Sequence, residues 1–286
     1  MKITGKTRVA GIFGFPITHT LSPLMQNAAF EEAGLNFVYL PFSVRPSELE
    51  DATRAIRALD MVGVNVTIPH KERIKDYLDE LSPDAELIGA VNTVVNRGGR
   101  LTGYNTDWRG FSESLRDEGL SLKGKKAVLL GAGGAALSIC FALIKEKIQR
   151  LVLVNRTFSR AKQLAEKMAR ISNGPEIEVV EFEKRNLLPE KEDIDLLINA
   201  TCCGMHEGDP SPVNLEKFPP SLYVYDVVYN RKTELLKDAE KIGLKCQGGL
   251  EMLIWQGALS FELWTGEKAP LDRMRQALME GLRLKQ

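Results

Sequence analysis

Residues 127–137 read Ala-Val-Leu-Leu-Gly-Ala-Gly-Gly-Ala-Ala-Leu, and residues 151–157 read Leu-Val-Leu-Val-Asn-Arg-Thr. Both segments contain a short apolar run, and the first run ends in small residues at the G-x-G-x-x-A spacing. A helical segment fits between the two runs. A strand, a glycine turn, a helix and a second strand in this order predict the first βαβ unit of a dinucleotide-binding domain.

The small residues of this turn each have a physical rationale. Gly131 permits the tight turn, Gly133 lets the backbone approach a pyrophosphate, and Ala136 allows the helix to pack closely on the strand. Free N–H groups and the positive dipole end at the helix N-terminus favour phosphate binding. We therefore expect the turn to bind a dinucleotide through Gly131, Ala132, Gly133, Gly134 and Ala135. The alternative is a flavodoxin-like turn that binds nothing.

The second apolar run ends in Asn155-Arg156-Thr157. An NAD site would place Asp or Glu here to hold the ribose 2′-hydroxyl, whereas Arg156 favours the additional 2′-phosphate of NADP. Arg160 lies one helical turn further on and adds a second cation. Arg160 is equally well explained as a solvated residue on the helix face.

The composition is typical of a globular protein of two domains. The chain has 286 residues, of which 44% are hydrophobic and 27% charged, and its 38 basic residues balance its 38 acidic ones. This balance gives no indication of a nucleic-acid partner and is compatible with a monomer or a homodimer. The sequence contains no apolar run long enough for a membrane span and no signal-peptide pattern. Four cysteines without a paired spacing predict a reducing, cytoplasmic environment, and we expect no metal.

The pattern of elements predicts an α/β protein in two parts. We expect a substrate-binding domain over residues 1–106, joined by C-terminal helices over 250–286, and a Rossmann-type, doubly wound domain over 107–249. A helix is expected to begin at Lys71, the final strand to span Tyr223–Val227, and the last helix to span Pro270–Leu284.

Polar residues cluster at predicted strand ends and loops of the first domain, where α/β proteins usually place their sites. Each has an alternative structural interpretation. Ser22, followed by Pro23, is expected to be a helix N-cap. Asn65 and Asn92 could satisfy backbone groups at strand ends. Asp107 could belong to the N-terminal cap of a helix. From spacing alone these alternatives stay open.

Taken together, the motifs resemble those of the shikimate dehydrogenase family, and they follow the family order over nearly the whole chain. They are Gly14-x-Pro16, His19-x-x-Ser22-Pro23, Asn65-Val-Thr-x-Pro-x-Lys71, Gly89-Ala-Val-Asn-Thr93, Asn105-Thr-Asp107, Gly131-Ala-Gly-Gly-Ala135, Asn155-Arg-Thr157, Asn199-Ala-Thr201 and Gly249-Leu-x-Met-Leu-x-x-Gln256. The resemblance implies reversible reduction of 3-dehydroshikimate to shikimate with NADPH, in aromatic amino-acid biosynthesis.

The resemblance also implies a role for individual residues. Lys71 and Asp107 would form the catalytic pair beside the reacting oxygen. The substrate carboxylate would lie near Thr20, Ser22 and Tyr229, and the ring hydroxyls near Thr67, Asn92 and Gln256. NADP would contact Gly131–Ala135, Asn155, Arg156, Thr157 and Arg160, and its nicotinamide half would lie along Thr201, Val227, Gly249 and Met252.

One position departs from the family pattern, since Thr20 stands where the family usually has serine. The hydroxyl is kept, but the extra methyl group reduces the pocket volume and can shift discrimination by about 1–3 kcal/mol. A quinate/shikimate dehydrogenase with a broader substrate range or NAD use therefore stays open. Two further alternatives are a metabolite sensor without activity and a methylene-tetrahydrofolate-type dehydrogenase. The retained Lys71 and Asp107 oppose the first, and the hydroxyl-rich Thr20–Ser22 loop opposes the second.

Overall fold

The structure is a computed structural model that describes residues 3–171, 174–190 and 193–283. Residues 1–110 and 254–286 form one compact unit, and residues 111–253 form a second one. The sequence places the corresponding domain boundaries at residues 106 and 249. The expected end of the last helix, Leu284, lies outside the described residues.

The first unit contains a six-stranded mixed sheet. Its strands are β1 (Arg8–Gly14), β2 (Phe37–Ser43), β3 (Gly63–Val66), β4 (Glu80–Leu81), β5 (Thr93–Arg97) and β6 (Arg100–Tyr104), and its helices include α1 (Ser22–Glu32), α2 (Leu49–Ala58) and α3 (Pro83–Ile88). The strand order is β2-β1-β3-β5-β6-β4, with β5 antiparallel to both of its neighbours. Short 3-10 turns cover Pro46–Glu48 and Ile74–Tyr77.

The core of this unit forms because its central strands are apolar on both faces, as in a sheet covered by helices on both sides. All four residues of β3 are buried. Phe13, Ile56, Val64 and Val94 belong to one cluster of buried side chains. Helix α1 ends where Gly34 adopts a φ of +65°, a left-handed conformation that stops the helix.

The second unit contains a parallel sheet. Its strands are β7 (Lys126–Leu130), β8 (Arg150–Asn155), β9 (Glu176–Glu181), β10 (Leu196–Asn199), β11 (Tyr223–Asp226) and β12 (Lys245–Gly248), and its helices are α5 (Gly134–Lys145), α6 (Phe158–Met168) and α7 (Glu234–Lys241), with a 3-10 segment over Phe182–Glu190. The order β12-β11-β10-β7-β8-β9 is that of a Rossmann domain, with the first strand beside the fourth. The predicted α/β class with a doubly wound domain is confirmed.

Helix α4 (Asp107–Asp117) and helix α8 (Leu250–Thr265) each begin in one unit and end in the other. The final helix, α9 (Leu271–Arg283), packs against α1, where Gly281 faces Leu24. The C-terminal helices therefore return to the first unit, as the sequence predicts.

One predicted helix is wrong, and one strand was not predicted. Lys71 does not begin an α-helix but lies in a turn that leads to the 3-10 segment Ile74–Tyr77, and its carbonyl accepts from the Val91 N–H of another segment instead of from an intrahelical donor. The strand predicted at Tyr223–Val227 is present as β11 (Tyr223–Asp226), but it is not the final strand, because β12 follows at Lys245–Gly248. Its residues, Lys-Cys-Gln-Gly, have little apolar character, and the strand forms because β11 supplies parallel backbone partners.

Of the helices in the described ranges, none combines the length and the apolar character needed to cross a membrane.

The contact of β3 with the C-terminal helix α8 predicts that Gly63 tolerates no side chain. A Cβ atom on Gly63 would stand 2.1 Å from the Val94 carbonyl oxygen and 2.5 Å from the Trp264 ring nitrogen. The Trp264 N–H donates to the same Val94 carbonyl at 3.0 Å. Overpacking at such a site costs about 1–3 kcal/mol or more, so Gly63→Ala should lower the midpoint of urea unfolding.

Gly5→Ala is the control, because no described atom lies within 4 Å of a Cβ placed there. An unfolding midpoint of Gly63→Ala equal to that of Gly5→Ala would contradict the prediction.

Candidate active site

A buried ion pair lies at the centre of the polar cluster in the first unit. The Lys71 ammonium nitrogen Nζ lies 2.6 Å from Oδ2 of Asp107, and the side chains are only 15% and 6% exposed. Asp107 is the first residue of α4. Charges this far from water need a partner, so each group holds the other in place.

The turn that carries Lys71 is anchored on both sides. The backbone N–H of Val91 donates to the Lys71 carbonyl at 2.8 Å. Next to it, Nε2 of the buried His70 side chain lies 2.7 Å from the Val44 carbonyl oxygen. Burial lowers the pKa of His70, which favours the neutral ring. These contacts, rather than a helix, place the Lys71 ammonium group.

Asn92 belongs to the same cluster, and its hydrogen bonds determine which way its side-chain amide points. Its Oδ1 accepts a hydrogen bond from the Thr106 backbone N–H at 2.7 Å, so Nδ2 must point the other way. Nδ2 donates to Oδ1 of Asp107 at 2.9 Å and to Oε1 of Gln256 at 3.2 Å. The structure thus brings Lys71, Asp107, Asn92 and Gln256 together within one unit. For Asn65, the backbone interpretation is correct in part, since its Nδ2 donates to the Asn92 carbonyl.

Thr20 and Ser22 lie next to each other in the loop that leads into α1. The Ser22 backbone N–H donates to Oγ1 of Thr20 at 3.3 Å. The N-cap of α1 is Leu21, without any side-chain cap, so the expectation that Ser22 caps this helix is wrong. The Ser22 hydroxyl is therefore not committed to the helix end. Thr67 is half-buried, and its methyl carbon packs against Gly14 at the start of this loop.

In the second unit the glycine turn has the conformation that its sequence predicts. Gly131 has a φ of +115°, and a Cβ there would stand 2.8 Å from the Ala200 carbonyl oxygen. Gly133 is the N-cap of α5, and no described atom lies within 4 Å of where its Cβ would stand. Ala136 is fully buried against the sheet. The N-terminus of α5 is thus open to a phosphate group.

The end of β8 carries positive charge. Asn155 Nδ2 donates to the Thr157 carbonyl at 2.9 Å and shapes the turn into α6. Arg156, Thr157 and Arg160 are exposed. The first turn of α6 contains no acidic residue that would oppose binding of an anion.

The remaining residues that the resemblance assigns to the cofactor follow the ends of β10, β11 and β12. Asn199 accepts from both the N–H and the hydroxyl of Thr201, at 3.1 and 2.7 Å. The Val227 N–H donates to the Asn199 carbonyl, and the Gly249 N–H donates to that of Val228. Met252 is buried. Tyr229 lies in the loop after β11, in the second unit, and burial raises the pKa of its phenol.

Sequence reasoning assigned no role to Asp226, which organises these loops. This fully buried carboxylate accepts from Asn199 Nδ2 at 3.1 Å, from the Val228 N–H at 3.0 Å and from the Thr233 hydroxyl at 2.8 Å. Burial raises its pKa, and the hydrogen bonds oppose this only in part. An acidic residue at the end of an apolar strand is the signal that could have identified it. Within the described parts of the chain, no three His, Cys, Asp or Glu side chains are grouped so as to hold a metal ion.

Family comparisons cover most of the chain. A model described as the shikimate dehydrogenase substrate binding domain matches residues 12–94. A model described as shikimate / quinate 5-dehydrogenase matches residues 113–204, and one described as the shikimate 5'-dehydrogenase C-terminal domain matches residues 249–279.

Individual proteins show the same similarity over their full length. The chain is 46% identical to the shikimate dehydrogenase (NADP(+)) of Methanopyrus kandleri over 99% of both chains. It matches a crystal structure of a shikimate dehydrogenase in complex with NADP+ with a TM-score of 0.92, at 40% identity over 98% of both chains. The Thermus thermophilus shikimate 5-dehydrogenase, in complex with NADP(H) and shikimate, matches at 38% identity with a TM-score of 0.85, over 96% of this chain and 99% of that one.

The buried Asp226 predicts a pH-dependent effect on stability. Because its pKa is higher in the folded than in the unfolded chain, the wild type loses stability as the pH rises above about 4 towards the folded value. Asp226→Asn removes this titration and keeps an acceptor oxygen for Asn199 and Val228. The urea unfolding midpoint of the variant, relative to the wild type, should therefore increase as the pH is raised from about 4.

Asp195→Asn is the matched control in the same unit. Burial disfavours the Asp195 carboxylate, but hydrogen bonds from Lys125 and the Lys126 N–H outweigh burial and lower its pKa. The stability that this carboxylate contributes is complete above the unfolded pKa of about 4, so the deficit of Asp195→Asn should stay constant from about pH 5 to pH 8. An Asp226→Asn difference that is equally constant would show that burial of the charge has no effect on stability.

Proposed function

The chain belongs to the shikimate dehydrogenase family, and we propose that it catalyses the reversible, NADPH-dependent reduction of 3-dehydroshikimate to shikimate. The observation that carries the proposal is the buried Lys71–Asp107 pair, which lies beside the amides of Asn92 and Gln256. This cluster offers a proton donor and several hydroxyl-binding groups, as reduction of a carbonyl on a polyhydroxylated ring requires.

Lys71 acts as the acid in this reaction. NADPH, when bound, supplies the hydride that reduces the carbonyl carbon. The Lys71 ammonium then donates a proton to the developing alkoxide oxygen and stabilises its charge, and in shikimate oxidation the neutral amine accepts that proton. Asp107 holds the ammonium group through the 2.6 Å contact and serves mainly to orient it. Asn92, in turn, holds the Asp107 carboxylate through its other oxygen.

The substrate is bound by hydroxyl and amide groups. Thr20 and Ser22, which lie next to each other before α1, donate to its carboxylate. Ring hydroxyls are bound by Thr67, Asn92 and Gln256. For Tyr229, the assignment to the carboxylate rests on the family resemblance alone. The Ser22 hydroxyl suits this role because the helix does not use it as a cap.

NADP fits the second unit. The pyrophosphate lies at the open N-terminus of α5, on residues Gly131–Ala135. The exposed guanidinium groups of Arg156 and Arg160 hold the 2′-phosphate, together with Asn155 and Thr157. The nicotinamide half lies along Thr201, Val227, Gly249 and Met252.

The alternative, a quinate/shikimate dehydrogenase with broader substrate or NAD use, is not favoured. Arg156 stands where an NAD site would have an acidic residue, and the curated relative of 46% identity is named for shikimate and NADP. A spectrophotometric assay of NADP and NAD, each with shikimate and quinate, tests the proposal. Turnover confined to NADP and shikimate supports it, and quinate turnover of equal efficiency would replace it with the alternative.

We further propose a cytoplasmic enzyme that acts on small molecules alone, as a monomer or homodimer. Its four cysteines are all free thiols, as is usual in a reducing compartment.

Removal of the Lys71 ammonium group should abolish most of the activity. Lys71→Ala is expected to reduce kcat by about 10²–10⁴-fold, the usual contribution of a general acid, with little change in NADPH affinity. Steady-state kinetics and NADPH titration measure the two effects. Lys75→Ala removes the same charge from the same segment and should stay close to the wild type. A kcat of Lys71→Ala near the wild-type value would remove Lys71 from the mechanism.

Reversal of the charge at Arg156 should change the choice of cofactor. Arg156→Asp loses a charge-assisted bond to the 2′-phosphate and gains an acceptor for the ribose hydroxyl, so the ratio of kcat/KM for NADPH over NADH should fall about tenfold or more. Arg170→Asp makes the same change beyond the far end of α6 and is the control. If both variants kept the wild-type ratio, Arg156 would not contact the phosphate.

A further inference from the structure

A buried serine on helix α8 has no role in the function proposed so far. Ser260 is fully buried and lies four residues after Gln256, on the same face of the helix. Its Oγ donates to the Gln256 carbonyl at 2.9 Å and accepts from Nδ2 of Asn65 at 2.9 Å. It also contacts Oγ1 of Thr93 at 2.8 Å. We propose that Ser260 is a positioning residue that holds Gln256 against Asn92, and thereby at the ring hydroxyls of the substrate.

The hydroxyl of Ser260 is surrounded by polar partners. A serine hydroxyl has one proton and two acceptor positions. Nδ2 of Asn65 takes one acceptor position, and the proton between Ser260 and Thr93 can come from either hydroxyl, because the Thr93 hydroxyl also donates to Oδ1 of Asn92 at 3.1 Å. The orientation of Asn65 is fixed in turn, because the Tyr39 hydroxyl donates to its Oδ1 at 2.8 Å and leaves Nδ2 facing Ser260. Every polar group of Ser260 is thus used.

These bonds attach α8 to the sheet one helical turn from Gln256. Asn65 of β3 and Thr93 of β5 are register partners, so Ser260 joins the helix to two paired strands at once. A second attachment lies nearby, since the Thr106 hydroxyl donates to the Gln256 carbonyl at 2.9 Å. The Gln256 side chain then meets Asn92 at 3.2 Å. The position of Oε1 therefore depends on how the helix is held.

Loss of the Ser260 hydroxyl would remove the nearest of three acceptors around the buried Asn65 amide nitrogen, at 2.9 Å, and leave the Asn92 carbonyl and the Thr93 hydroxyl, both at 3.1 Å. It would also remove two hydrogen-bonded links from α8 to β3 and β5, so this part of the helix would shift relative to the strands. Because Gln256 is the nearest substrate residue on α8, its position relative to Asn92 would change first. Ser260 forms hydrogen bonds with neither Lys71 nor Asp107, so proton transfer should be affected less than binding.

The inference rests on the proposed function, and kinetics of the full chain test it. Ser260→Ala should raise KM for shikimate about fivefold, the equivalent of one buried hydrogen bond, with KM for NADP unchanged and kcat changed less. Thr53→Val is the matched control. The buried Thr53 hydroxyl makes the same kind of bond, to the Leu49 carbonyl at 2.7 Å, on helix α2 of the same unit. This control should leave KM for shikimate unchanged.

A double-mutant cycle separates positioning from a general loss of structure. If Ser260 acts through Gln256, then Ser260→Ala should have no further effect on KM in a Gln256→Ala background. An equal effect in both backgrounds would overturn the inference, as would an unchanged KM in the single variant. Should Ser260→Ala not fold, Thr93→Val removes a partner from the strand side and should raise KM for shikimate in the same way. An unchanged KM in Thr93→Val would also overturn the inference.

A crystal structure of Ser260→Ala gives a test that does not depend on the substrate. An Oε1–Nδ2 distance between Gln256 and Asn92 that stays at 3.2 Å would overturn the positioning role, and a longer distance would support it. Failure of the wild type to oxidise shikimate with NADP would contradict the proposed function instead, and the structural measurement would still decide the role of Ser260.

Discussion

The polar cluster of the first unit depends on one buried ion pair. A lysine ammonium and an aspartate carboxylate lie 2.6 Å apart and are largely shielded from water. Burying either charge alone would cost several kcal/mol, so Lys71 and Asp107 must be held together. Three features hold this contact in place. They are the anchored turn around Lys71, the start of α4 at Asp107 and the orientation of Asn92. The same contacts bring a cation and the amides of Asn92 and Gln256 together, as the proposed carbonyl reduction requires.

The second unit depends on a backbone constraint. All six of its strands are parallel, so their carboxyl ends lie at one edge of the sheet and bring the loops after β7, β8, β10 and β11 to the same side. Asp226 secures two of these loops without a cation, through three hydrogen bonds. Burial of such a carboxylate lowers the stability of the fold, but its hydrogen bonds fix the backbone that follows it.

Local patterns predicted the elements whose structure depends on their own residues. The glycine turn at Gly131, the strand ending at Asn155 and the helix that stops before Gly34 follow from chain conformation and apolar periodicity. Predictions failed where contacts with distant parts of the chain determine the local structure. Residues 245–248 form a strand because β11 pairs with them. The segment after Lys71 is not an α-helix, and the Lys71 carbonyl bonds to the Val91 N–H of a distant segment instead. Ser22 has the residue type of a helix cap, yet it is the first residue of the helix, and Leu21 occupies the N-cap position.

The sequence by itself determined the α/β class, the glycine turn and the cation at Arg156, because each of these depends on residue type and short spacing. The residues of the polar cluster were identified only through the resemblance to a family, since they lie far apart along the chain. The tertiary structure alone decided that Asn65, Asn92, Thr93, Thr106 and Ser260 form one buried hydrogen-bonded network, and that Asp226 lies within another. The partners in these networks come from distant parts of the chain. Their contacts are satisfied only when the sheets and helices pack, because hydrogen bonding out of water depends on position in space rather than on order along the chain.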